Sequence, residues 1–130
     1  MKRRIVTSVL FCGVLTMVLG ADSISIQNCP SPQKGKIAAD GPFSVDPANN
    51  QGTPPVTFYA TLNSTPPQQS FKYATTQFVN GQWTWDCTLL LVQGQYEARV
   101  KLLTVEKVTG KKNETWDPPL NQPGKAVTVN

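Results

Sequence analysis

The chain contains no histidine among its 130 residues. That absence removes the commonest general base, the usual partner of a serine or cysteine nucleophile, and the commonest metal ligand. Cysteine is scarce: Cys12, Cys29 and Cys87 are far apart in sequence, so no redox or zinc motif forms. There is no glycine-rich phosphate loop and no acidic calcium loop. The eight acids, Asp22, Asp40, Asp46, Asp86, Glu97, Glu106, Glu114 and Asp117, form no tight motif. Catalysis by paired carboxylates is the one enzymatic chemistry left open, and no spacing points to it. Lysines are scattered apart from the pair Lys111 and Lys112, so no basic stripe tracks a phosphate backbone. The absences predict a protein that is not an enzyme, needs no cofactor or metal, and does not bind nucleic acid.

Long apolar runs are also missing, except at the start. Lys2, Arg3 and Arg4 form a basic head, residues 5–19 carry no charge, and the small residues Gly20 and Ala21 follow. This is the order of a secretory signal peptide, and the run is shorter than the roughly 20 apolar residues of a comfortable membrane span. Residues 1–21 are therefore read as a leader, with Cys12 inside it, and residues 22–130 as one domain. The expected location is secreted, periplasmic or cell-surface, with membrane attachment only if the leader is retained. Of the twelve Lys and Arg, three lie in the leader, which leaves nine against eight acids and a net charge of +1. Export also places Cys29 and Cys87 where one disulfide can persist, which by loop entropy would stabilise the fold by about 4 kcal/mol. The alternative is two separately buried thiols.

No segment of the remaining chain has the apolar spacing of an amphipathic helix; alternation is what repeats. Val56, Phe58, Ala60 and Leu62 alternate with Thr57, Tyr59 and Thr61. Residues 71–79 form an aromatic, Thr-rich run, and Asn80-Gly81 then predicts a tight hairpin, because both central residues of a type I′ turn need positive φ. On the returning strand Trp83, Trp85, Cys87, Leu89 and Leu91 share one face, and Leu90 and Val92 suggest that its far end is covered on both sides. Tyr96, Ala98, Val100 and Leu102 alternate with Glu97, Arg99 and Lys101. Shorter strands are expected at Ile24 and Ile26, at Phe43 and Val45, and at Val127 and Val129. Eight of the eleven prolines fall in the loops read over residues 47–55, 63–69 and 109–124. Six or seven antiparallel strands with such punctuation predict an all-β sandwich.

The stretch "LVQGQYEARV", with Leu91, Gly94, Tyr96 and Val100, resembles the late-strand signature of immunoglobulin-like and fibronectin type III-like domains. The resemblance implies an immunoglobulin-like β-sandwich in which the Tyr96 hydroxyl bonds back to backbone near the turn and anchors the corner at Leu91 and Gly94. It covers about 25 residues directly. Two positions depart from the pattern. Ala98 stands where an antibody-type domain has a cysteine, so Cys29 and Cys87 are not that family's usual pair, and residues 56–62 lack the tryptophan of a fibronectin type III second strand.

Contact residues are sought among the tryptophans. Trp83 and Trp85 belong to the core if their face is covered, and form a stacking platform if it is open. Trp116 lies in the loop read over residues 109–124 and is the better contact residue. Asn63 and Asn113 each begin a glycosylation sequence. The expectation is a structural or protein-interaction module whose partner is an unknown protein. The alternative is a carbohydrate-binding module using exposed tryptophans on a polysaccharide.

Overall fold

The computed structural model describes residues 21–50 and 52–130. Apart from Ala21, the leader read at residues 1–21 lies outside the described residues, as does Cys12. Nine strands are found among the described residues: β1 (Ser23–Ile24), β2 (Lys36–Ser44), β3 (Val56–Leu62), β4 (Gln68–Tyr73), β5 (Thr75–Val79), β6 (Gln82–Leu90), β7 (Gly94–Val105), β8 (Lys112–Asp117) and β9 (Lys125–Val129). They form two antiparallel sheets. One has the order β1-β2-β6-β5, and the other β9-β7-β3-β4, with β8 also paired to β7. Strands β8 and β9 lie end to end on one edge of β7, β8 against residues 100–105 and β9 against residues 94–98.

Alternation places one side of each long strand between the sheets. The core is built from Ile37 and Phe43 of β2, Val56 and Phe58 of β3, Trp85 of β6, Val100 and Leu102 of β7, and Val127 and Val129 of β9. Each such side chain contributes roughly 1.5–3 kcal/mol by leaving water. Phe58 and Trp85 stack across the two sheets with ring centroids 5.7 Å apart, and the Trp85 indole N–H donates to the Ser25 carbonyl at 3.0 Å. At one end of the sandwich the Asp22 carboxylate accepts from the Asp46 backbone N–H, the Asn49 amide and the buried Thr104 hydroxyl.

Asn80 and Gly81 have φ of 53° and 77°, and Val79 pairs with Gln82, which closes the two-residue hairpin between β5 and β6. The Tyr96 hydroxyl donates to the Val92 carbonyl at 2.7 Å and fixes the chain where it enters β7.

Four sequence expectations need correction. The run at 71–79 is not one strand: its first part pairs with β3, its second with β6, and the chain crosses between sheets at Ala74, whose N–H donates to the Val56 carbonyl. The strand at Phe43 begins much earlier, at Lys36. Leu90 and Val92 are 83% and 70% exposed, so that end of β6 is not covered on its outer side. The loop read at 109–124 contains β8, so Trp116 is a strand residue.

Candidate functional site

The outer face of the β9-β7-β3-β4 sheet carries a band of aromatic side chains. Strand parity puts Thr57, Tyr59 and Thr61 outward on β3, opposite the buried set Val56, Phe58 and Ala60. Register then aligns the neighbours. Tyr59 stands between Arg99 of β7 and Phe71 of β4, while Thr57 stands between Lys101 and Tyr73, and Lys101 is itself paired with Trp116 of β8. The ring centroids of Tyr59 lie 5.2 Å from Trp116 and 6.0 Å from Phe71, and Phe71 meets Tyr73 edge-on at 6.4 Å. Four rings from three strands thus form one continuous patch, with Phe71 60% and Tyr73 69% exposed.

The charges in this face are satisfied by their neighbours. Lys101 Nζ lies 5.7 Å from the ring centres of both Tyr59 and Trp116, within cation–π range, and 3.8 Å from the Glu114 carboxylate. Glu114 also accepts from the Trp116 indole N–H at 3.1 Å. The Arg99 guanidinium donates to the carbonyls of Pro118, Pro119 and Gln122, and so staples the loop between β8 and β9 to the sheet. Glu97 accepts from the Gly124 N–H. With the polar groups paired internally, the unsatisfied surface of the band is apolar and aromatic, the composition that enriches contact surfaces.

The three tryptophans have separate fates. Trp85 is 1% exposed and belongs to the core. Trp83 lies on the same inward face but at the end of the sandwich, half-buried, packed against Phe43 at 5.4 Å and Phe78 at 5.0 Å. It borders an open cleft of about 470 Å³ that also involves Val45, Pro54 and Lys107. Trp116 joins the aromatic band, so it does not share a surface with the other two. The sequence alone offers Tyr59 and Tyr73 as outward residues beside an ordinary strand composition, but nothing in it brings them together with Phe71 and Lys101. Their meeting depends on β4 and β8 flanking β3 and β7, which periodicity does not specify.

Cys29 and Cys87 are both buried and both free thiols, so the expected bridge is absent. Register explains why. Cys87 pairs with Ala39, while Cys29 follows Asn28, which bridges Asp40 from the opposite edge of β2. The β2 backbone lies between them. Two strand spacings are roughly 9–10 Å, beyond the roughly 7 Å Cα separation that a disulfide spans. Burial pushes both thiols above the ordinary cysteine range; Lys125 opposes this at Cys29 and Lys72 at Cys87.

Among the acids, Asp40 and Asp86 face each other directly across β2 and β6, and Asn28 donates to Asp40 at 2.8 Å. They stand on an open sheet face. Asp86 is exposed and Asp40 half-buried. Asn63 is exposed beyond β3, whereas the Asn113 amide lies within β8 and donates to Glu106. Comparison of the chain with family models, with curated proteins and with solved structures finds no match.

Proposed function

We propose that this protein is an exported, non-enzymatic module of immunoglobulin-like type that acts by surface contact, as a structural or protein-interaction domain. The observation that carries the reading is the band of Tyr59, Phe71, Tyr73 and Trp116 on an outer sheet face. An aromatic patch outside the core, with neighbouring charges already paired, gains free energy chiefly by being covered. The immunoglobulin-like assignment is supported by two antiparallel sheets and by the Tyr96 hydroxyl bonded to Val92 at the entry to β7. The non-enzymatic reading rests on a histidine-free composition, which lacks the commonest general base. Export rests on the basic head and apolar run of residues 1–21.

The partner is taken to be a protein rather than a polysaccharide because the rings pack against one another, with interplanar angles of 34° to 82°. Lys101 lies over two of them. Separate rings lying flat and open would suit sugar stacking better. The carbohydrate-binding reading survives through Trp116 alone, whose ring is part of the outer face. The test uses the processed protein as bait in the extracytoplasmic fraction, together with a titration of its tryptophan fluorescence against a panel of polysaccharides. The proposal expects a protein partner and an unchanged fluorescence signal; no protein partner together with a saturable polysaccharide response would replace it with the second reading.

A further inference from the structure

Two sheets have four edges, and three of them are guarded. Strand β1 is two residues long and gives way to a bulge, where the N–H groups of Gln27 and Asn28 both reach the Asp40 carbonyl, before Pro30 and Pro32. On β4, Lys72 sits opposite the buried Phe58 and so points to the inner side, with its amine donating to the Thr88 carbonyl. The edge made by β8 and β9 is interrupted by a loop holding Pro118, Pro119 and Pro123, and Gln33 bridges Val129 along β9. Shortness, bulges, prolines and inward charges are the devices that keep a strand edge from pairing with another chain.

Strand β5 is only five residues long but has none of the other devices. Its sequence, Thr75-Thr76-Gln77-Phe78-Val79, holds no charge, no proline and no glycine, and four of its five residues are exposed, Phe78 by 59%. The two-residue turn at Asn80-Gly81 makes Val79 and Gln82 a hydrogen-bonded pair. Alternation then commits the backbone groups of Thr75, Gln77 and Val79 to β6 and aims those of Thr76 and Phe78 outward.

We propose that β5 is a docking edge for a second copy of this chain, pairing antiparallel with its own β5 about a two-fold axis at Gln77. That register sets Thr76 opposite the partner copy's Phe78 and the reverse. The outward donors and acceptors of those two residues then match, giving four hydrogen bonds between the copies. Self-pairing brings each side chain against its own kind or its mirror position, so a charged edge strand would repel itself; an uncharged one meets no such penalty. Beyond each end of the pair the chain turns away, at Ala74 into the other sheet and at Asn80-Gly81 into the hairpin, and among the described residues no strand pairs with the outer edge of β5. The two four-stranded sheets become one continuous sheet. This pairing uses the β5 edge and not the aromatic band, so it stands or falls apart from the proposed contact face.

The test is sedimentation of the chain, expressed in full and processed by its host, over a concentration series, for wild type, Gln77→Lys and Gln77→Glu. Gln77 is exposed and outside the core, and near-ultraviolet dichroism checks that each variant keeps the fold. Wild type should dimerise, each single variant should dimerise at least about tenfold more weakly because like charges then meet at the axis, and an equimolar mixture of the two should recover the dimer. A wild type that remains monomeric throughout overturns the proposal. So does a Gln77→Lys protein that dimerises as wild type does, or a mixture that stays monomeric.

Discussion

Asp22 makes more tertiary hydrogen bonds than its exposure to solvent would suggest. One carboxylate joins the start of the domain to the Asp46 backbone, to Asn49 and to Thr104 on β7. Thr104 is fully buried, so Asp22→Ala would leave its hydroxyl without that acceptor. The expected loss is about 3 kcal/mol, read as a lower urea midpoint with unchanged slope. Tyr96 gives a pH-dependent counterpart. Burial raises its phenol above the ordinary tyrosine range, and the protonated form donates to Val92. A folded pKa above the unfolded one means that this contribution is complete below the unfolded value, about 10, and is lost as pH rises through the folded value. Tyr96→Phe should flatten the alkaline fall in thermal stability, and an unaltered profile would place its cause elsewhere. Both residues were visible in the sequence, but only Tyr96 had a spacing, Leu91-Gly94-Tyr96, that pointed to its role. Nothing near Asp22 signals partners 24 to 82 positions away.

Single strands were legible where side chains alternate cleanly and illegible where pairing overrides composition. Strands β3, β6 and β7 follow the two-residue rhythm, and Asn80-Gly81 marks its turn by the backbone angles it needs. Strand β2 hides because Asp40, Gly41 and Pro42 are residue types that strands disfavour, although β6 holds all three in register. Strand β8 hides because its inner positions are Asn113, Thr115 and Asp117, so it has no apolar face to detect. Gly41 illustrates what pairing demands of such a strand. A methyl group at this position would collide with the Ser25 carbonyl oxygen, the acceptor of the Trp85 indole N–H. Gly41→Ala should therefore displace the edge segment around β1 and strand a buried donor, at a cost of roughly 3 kcal/mol or more. A shift of the buried-tryptophan emission would accompany it; a variant with wild-type stability and emission would refute this role for Gly41.

At the scale of the whole molecule, the fold is held by two sheets and a shared core without a covalent link between them. Because Cys29 and Cys87 are free and separated by β2, the protein should melt at the same temperature with and without reductant, and unfolding should expose both of these thiols. A reductant-dependent drop in melting temperature would restore the bridge that the sequence suggested. The sandwich class was legible because alternation counts strands, but which faces meet, and therefore which aromatics remain outside, depends on sheet order. The opposite fates of Trp85 and Trp116 show this: the same residue type on two strands ends in the core and on the outer face.

The contact face is tested most directly by separating binding from stability in a Phe71→Ser, Tyr73→Ser double variant. Both side chains are already more than half exposed, so the variant should unfold at nearly the wild-type temperature while losing the partner that the wild-type bait retains. A variant that keeps the partner at wild-type affinity, or that loses its fold instead, would contradict the assignment of this face to surface contact.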